Sequence, residues 1–157
     1  MKLLTGLLFV SLLALPLASH AQQRAGSTSL QLSLLDVIPT GFQQGYPITF
    51  AYSADGALSA VFEPGENAQL LEFLKNSSNS GKLTAKQAQQ GKKFEGLLEL
   101  SGETVKTLNP GEIKLFTVAA DPSIGKCPPC GKRDALIAPF LSESGAINYQ
   151  YVTFVTR

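Results

Sequence analysis

The stretch Ile113-Lys114-Leu115-Phe116-Thr117-Val118-Ala119, followed by Lys126-Cys127-Pro128-Pro129-Cys130-Gly131-Lys132-Arg133-Asp134 and then Ala135-Leu136-Ile137-Ala138-Pro139-Phe140-Leu141, carries the decision about the fold. Its first segment begins with strict alternation and ends almost entirely apolar, the pattern of a strand that passes into the middle of a sheet. The cysteines sit among Pro, Gly and charged residues, which reads as a loop over 121–134. Ala135 to Leu141 then reads as one arm of a C-terminal hairpin. Its other arm is Ile147-Asn148-Tyr149-Gln150-Tyr151-Val152-Thr153-Phe154-Val155, whose alternating β-branched and aromatic residues make the clearest strand in the chain.

Working back toward the N-terminus, Leu30, Leu32 and Leu34 alternate, as do Ile48, Phe50 and Tyr52. Asp55-Gly56 joins the second of these runs to Ala57 to Phe62 and signals a hairpin. Leu70, Leu71 and Leu74 have helical spacing, predicting one short helix from about Asn67 to Lys75. A polar loop, 76–83, follows, expected to be mobile. Thr84 with Gln87 fits a capping box, so a second short helix is expected over Ala85 to Gln90, closed by Gly91. A rival reading extends it to Leu100 on a stripe of Ala85, Ala88, Phe94 and Leu98. Gly91 and Gly96 would each cost that helix about 1 kcal/mol, which favours a strand over Phe94 to Leu100. Glu103 to Leu108 adds another strand. About eight short strands predict a mainly β fold: a single-domain antiparallel β-sandwich or partly open barrel with one or two short helices inserted, with α+β as the alternative.

Composition narrows the chemistry. Lys2, the apolar run Leu3 to Leu17 and the small residues Ser19 and Ala21 predict a cleaved secretory signal peptide over 1–21, leaving one β-rich domain over 22–157 in the periplasm or outside the cell. Beyond residue 21 no apolar run is long enough for a transmembrane helix. Removing Lys2 balances the 13 basic and 12 acidic residues of the chain, which argues against nucleic acid as a partner. The only histidine, His20, leaves with the leader. Without it there is no Ser-His or Cys-His catalytic pair and no imidazole ligand for zinc or copper.

Cys127 and Cys130 are the only cysteines. In an oxidising compartment they are expected to form a disulfide. Closing so short a loop is worth roughly 2 kcal/mol in the chain-entropy model, a local clamp on a turn that Pro128 and Pro129 already stiffen. Alternatively they are a working redox pair, because Lys126, Lys132 and Arg133 supply the positive charge that favours a thiolate. A metal site would need a second pair of sulfurs or His ligands; two thiolates alone suit Cu(I).

The strand Ile113 to Ala119, the Cys-Pro-Pro-Cys segment and the proline-containing run Ala135 to Leu141 together resemble the active-site region of thioredoxin-like proteins, where a strand, Cys-x-x-Cys and a proline-interrupted helix follow one another. The resemblance covers about 30 residues. Lys126 stands where that family has an aromatic residue. The segment after Cys130 is too short for the family's remaining strands and for the proline loop that faces its thiols.

No acid–base pair, phosphate loop or catalytic motif emerges, and no cofactor is expected. The reading that remains is a small exported binding or accessory domain without catalysis, clipped by Cys127–Cys130, whose partner is another protein or an envelope component. Its candidate contacts are Lys126, Lys132, Arg133, Tyr149 and Tyr151. The alternative is a thiol–disulfide redox or Cu(I)-handling protein acting through the two cysteines.

Overall fold

The computed structural model describes residues 27–76, 81–105, 108–143 and 145–156. The expected leader, 1–21, and residues 77–80 of the polar loop lie outside the described residues.

Five strands form one mixed sheet: β1 (Ser27–Ser33), β2 (Ile48–Tyr52), β3 (Leu58–Phe62), β4 (Ile113–Ala120) and β5 (Ile147–Val155), in the order β1-β5-β4-β2-β3. β1 and β4 both run parallel to β5, while β2 runs antiparallel to β4 and β3. The helices are α1 (Leu34–Val37), α2 (Asn67–Lys75), α3 (Ala85–Leu100) and α4 (Pro128–Glu143), with two 3₁₀ turns at Ile38–Thr40 and Phe42–Gln44. All eight residues of β4 are buried, because the strand sits third of five and is covered on both faces. On one face Phe94, Leu97 and Leu98 of α3 pack with Phe50, Phe116, Val152 and Phe154. On the other, Leu70, Phe73 and Leu74 of α2 and Ile137 of α4 pack with Ala51, Phe62, Leu115 and Tyr149.

This is neither a sandwich nor a barrel, and it corrects the expected antiparallel architecture. Two of the runs read as strands are helical, and Glu103 to Val105 belongs to no element. Phe94 to Leu100 is the second half of α3, which starts at the expected Thr84–Gln87 capping box but does not stop at Gly91. Gly91 is buried against β3, and a Cβ there would run into Leu58 Cδ2. The glycine therefore allows close packing of helix on strand rather than ending the helix. Ala135 to Leu141 lies within α4, so β4 and β5 are parallel neighbours joined by a helix, not the flanks of a cysteine loop and a hairpin. The Asp55–Gly56 hairpin is present, with Gly56 at φ 82° between β2 and β3.

Candidate functional site: the disulfide at the start of α4

β4 ends at Ala120, and the turn Asp121 to Lys126 delivers the chain to α4. Asp121 Oδ1 accepts from the Ser123 backbone N–H at 2.9 Å, and hydrogen bonds from the Ser123 side chain and then its backbone hold this carboxyl below the usual range. Pro128 then takes the first helical position, where a missing N–H costs nothing and φ is already suitable. Cys127 stands just before the helix, in the place of a capping residue. It is disulfide-bonded to Cys130, with Cα atoms 5.3 Å apart. The Cys130 backbone N–H donates to Cys127 Sγ at 3.2 Å and to Cys127 O at 3.0 Å. An N-cap oxygen would receive this same N–H. Here a sulfur receives it, at the positive end of a 16-residue helix.

The two sulfurs are not equivalent. Cys127 is half-buried beside an open groove of about 430 Å³, whereas Cys130 is only 5% exposed. The groove is lined by Lys126, Pro122, Tyr151 and Asp134 among others. Lys126 and Lys132 are exposed, and neither forms an ion pair among the described residues.

Beneath the disulfide, a row of polar groups crosses the sheet. Arg133, 0% exposed, donates from Nη1 to Thr49 Oγ1 at 2.9 Å; the Thr49 and Thr117 hydroxyls are 2.9 Å apart. Thr117 meets the Tyr149 hydroxyl, which donates to Asp134 Oδ1 at 3.2 Å. The ends of the row are fixed, with Arg133 donating at one and Tyr149 donating to Asp134 at the other, while either of the two threonine hydroxyls can donate to its neighbour. Arg133 spends its other donors on Asn67 Oδ1 at 2.6 Å and on the carbonyls of Phe62 and Glu63 at 3.3 and 2.8 Å. These bonds fasten α4 to the turn between β3 and α2. Burial lowers the Arg133 pKa, and the negative charges of Glu66 and Asp134 oppose that shift. Burial also drives the Tyr149 phenol well above its ordinary range, and the nearby Asp134 charge adds to it.

Of the residues expected to meet a partner, Lys126 and Lys132 lie at the surface around the disulfide. Arg133 does not: its guanidinium is wholly inside, which corrects its assignment to the basic flank. Tyr149 is 2% exposed and belongs to the buried row, while Tyr151 is half-buried and lines the groove. Asp134, Thr49, Thr117 and Asn67 were not singled out from the sequence. The signal for Asp134 is its spacing, four residues after Cys130 on one face of α4, where the sequence predicts a loop.

β2 and β3 complete the sheet beside β4, and the antiparallel register pairs Ile48 with Val118. The buried Pro47, whose bond to Tyr46 is cis, thus precedes β2 at the end of the sheet where β4 leads to the cysteines. Comparison of the chain with protein-family models, curated proteins and solved structures gave no match. Among the described residues no group of three or more His, Cys, Asp or Glu is arranged to hold a metal ion, and no helix is long and apolar enough to cross a membrane.

Proposed function

We propose that the protein carries out thiol–disulfide exchange through Cys127 and Cys130. The observation that carries this reading is the asymmetry of the pair: Cys127 stands at the open N-terminus of α4 with a backbone N–H on its sulfur, and Cys130 is enclosed behind it. A helix N-terminus and nearby lysines favour a thiolate over a thiol, and the thiolate is the nucleophile. In the reduced protein, Cys127 S⁻ attacks one sulfur of a substrate disulfide. A Cys127–substrate disulfide forms and the other substrate sulfur leaves as thiolate. Cys130 then loses its proton and attacks Cys127 Sγ, closing the internal disulfide and releasing the second substrate thiolate. Two electrons pass to the substrate, whose two thiolates take up protons; the reverse sequence oxidises a dithiol. In this reading Asp134, buried and lining the groove with Cys130, takes the Cys130 proton. The apolar run Leu3 to Leu17 and the small residues before Gln22 support an oxidising compartment for this chemistry.

Equilibration against redox buffers of known potential tests the reading. A reduction potential above about −300 mV supports exchange; a value well below it leaves a local structural clip in a non-catalytic domain.

A further inference from the structure

Lys126 and Lys132 have no task in the fold. Both are exposed, neither forms an ion pair among the described residues, and both flank the reactive end of α4. Lys126 precedes Cys127 in the chain and lines the groove. Lys132 follows Pro128 by four residues, which puts it on the same side of the helix. The groove itself is shallow and partly apolar, with Pro122, Pro128 and Tyr151 in its wall. Among the described lining residues the one carboxylate, Asp134, is buried, and the neighbouring Asp121 is half-buried and bonded to Ser123 and Gln31, so the fully exposed charges beside Cys127 are those of Lys126 and Lys132. Any group bonded to the sulfur under attack must lie within a few ångströms of the Cys127 sulfur, and so within reach of the Lys126 ammonium.

We infer that Lys126 and Lys132 select the substrate: the exchange partner is a cysteine flanked by carboxylates, in an acidic polypeptide segment that lies along this groove. The inference rests on the exchange reading above. Two unit charges of opposite sign about 4 Å apart in water attract by roughly one factor of five in rate or affinity, and salt screens the effect. Lysine flanks also favour the Cys127 thiolate, but that acts on every substrate alike. Discrimination between substrates of opposite charge isolates the contribution proposed here.

The experiment uses the reduced full chain and two end-blocked tripeptides, each linked to a second copy through its cysteine, with Asp on both sides of Cys in one and Lys in the other. Release of peptide thiol is followed under second-order conditions. The expected result is a preference for the Asp peptide of roughly fivefold or more at low salt, shrinking toward unity in 0.5 M salt on the order of a few-ångström Debye length. Lys126→Gln lowers the ratio, and Lys126→Glu with Lys132→Glu inverts it. Both positions are exposed, and circular dichroism confirms that the variants fold. Equal rates with the two peptides, or a ratio untouched by the substitutions, would overturn the selectivity and leave exchange standing. If neither peptide reacts, the exchange reading fails, and this inference with it.

Discussion

Cys127 and Cys130 form one disulfide but meet solvent differently, and the difference dictates what single substitutions do. In Cys130→Ser the half-buried Cys127 remains at the helix terminus with no internal thiol to release a bound substrate. A lasting mixed disulfide with a small disulfide reagent is expected, visible as an added mass. In Cys127→Ser the remaining sulfur is 5% exposed, and adduct formation is expected to be slower by roughly tenfold or more, as its enclosure requires. Equal labelling of the two variants would show that the sulfurs are interchangeable. Arg133 acts on the same helix through structure. Truncating it to Ala removes hydrogen bonds to Asn67, Thr49, Phe62 and Glu63 and leaves the Asp134 charge without its buried counterpart. The expected loss is about 3–5 kcal/mol in urea unfolding. Arg133→Lys recovers little of it, because an ammonium lacks the fork that reaches two carbonyls and a hydroxyl. Here the sequence was hard to read for a definite reason. Cys130, Arg133, Asp134 and Ile137 are all buried and follow the spacing of one helical face, yet three of the four are of polar or reactive types. An apolar periodicity search therefore passes over the helix, and the prolines at 128, 129 and 139 argue against it.

At the scale of the element, α3 shows how a glycine can mislead. Gly91 and Gly96 look alike in sequence, but a Cβ at Gly91 meets Leu58 and one at Gly96 meets nothing within 4 Å. Gly96→Ala is expected to stabilise the protein by about 0.5–1 kcal/mol, through helix propensity alone. Gly91→Ala forfeits that gain by forcing Leu58 aside, so thermal or urea unfolding should rank it below Gly96→Ala by about 1 kcal/mol or more. The capping box at Thr84 and the hairpin at Asp55–Gly56 were legible because each depends on a short local pattern. Where α3 ends was not, because it depends on contact with β3. The disulfide is the other local device. Its loop is so short that reduction is expected to cost only about 2 kcal/mol. Far-UV circular dichroism should be unchanged by a reductant, as the proposed exchange requires.

Across the whole molecule, strand identity was better legible than strand direction. The apolar run of β4 announced a central strand, and β4 is central. Whether β4 and β5 were parallel depended on whether 128–143 formed a helix, and reading Phe94 to Leu100 and Ala135 to Leu141 as strands turns a two-faced sheet into a sandwich. The resulting depth of burial sets the behaviour at high pH. Tyr52 and Tyr149 have pKa values raised chiefly by burial, with Glu95 and Asp134 adding to the shift. The folded state therefore keeps protons that the unfolded chain releases above about pH 10. Stability is full below that pH and falls above it, by up to about 1.4 kcal/mol per pH unit for each of the two tyrosines. Urea unfolding from pH 8 to 11.5 should show the decline, with tyrosinate absorbance from these two rings appearing only as the protein unfolds. A flat profile would mean that the rings are solvated.

The strand order has a further consequence for how the chain comes into being. β1, the first strand made, pairs with β5, the last, and β5 also fills the gap between β1 and β4. During synthesis the hairpin of β2 and β3 and the strand β4 can assemble early, but β1 has no neighbour until Ile147 to Val155 emerges. Until then the polar row beneath the disulfide lacks Tyr149, its link between Thr117 and Asp134. The row from Arg133 to Asp134 therefore closes only once Ile147–Val155 has paired beside β4.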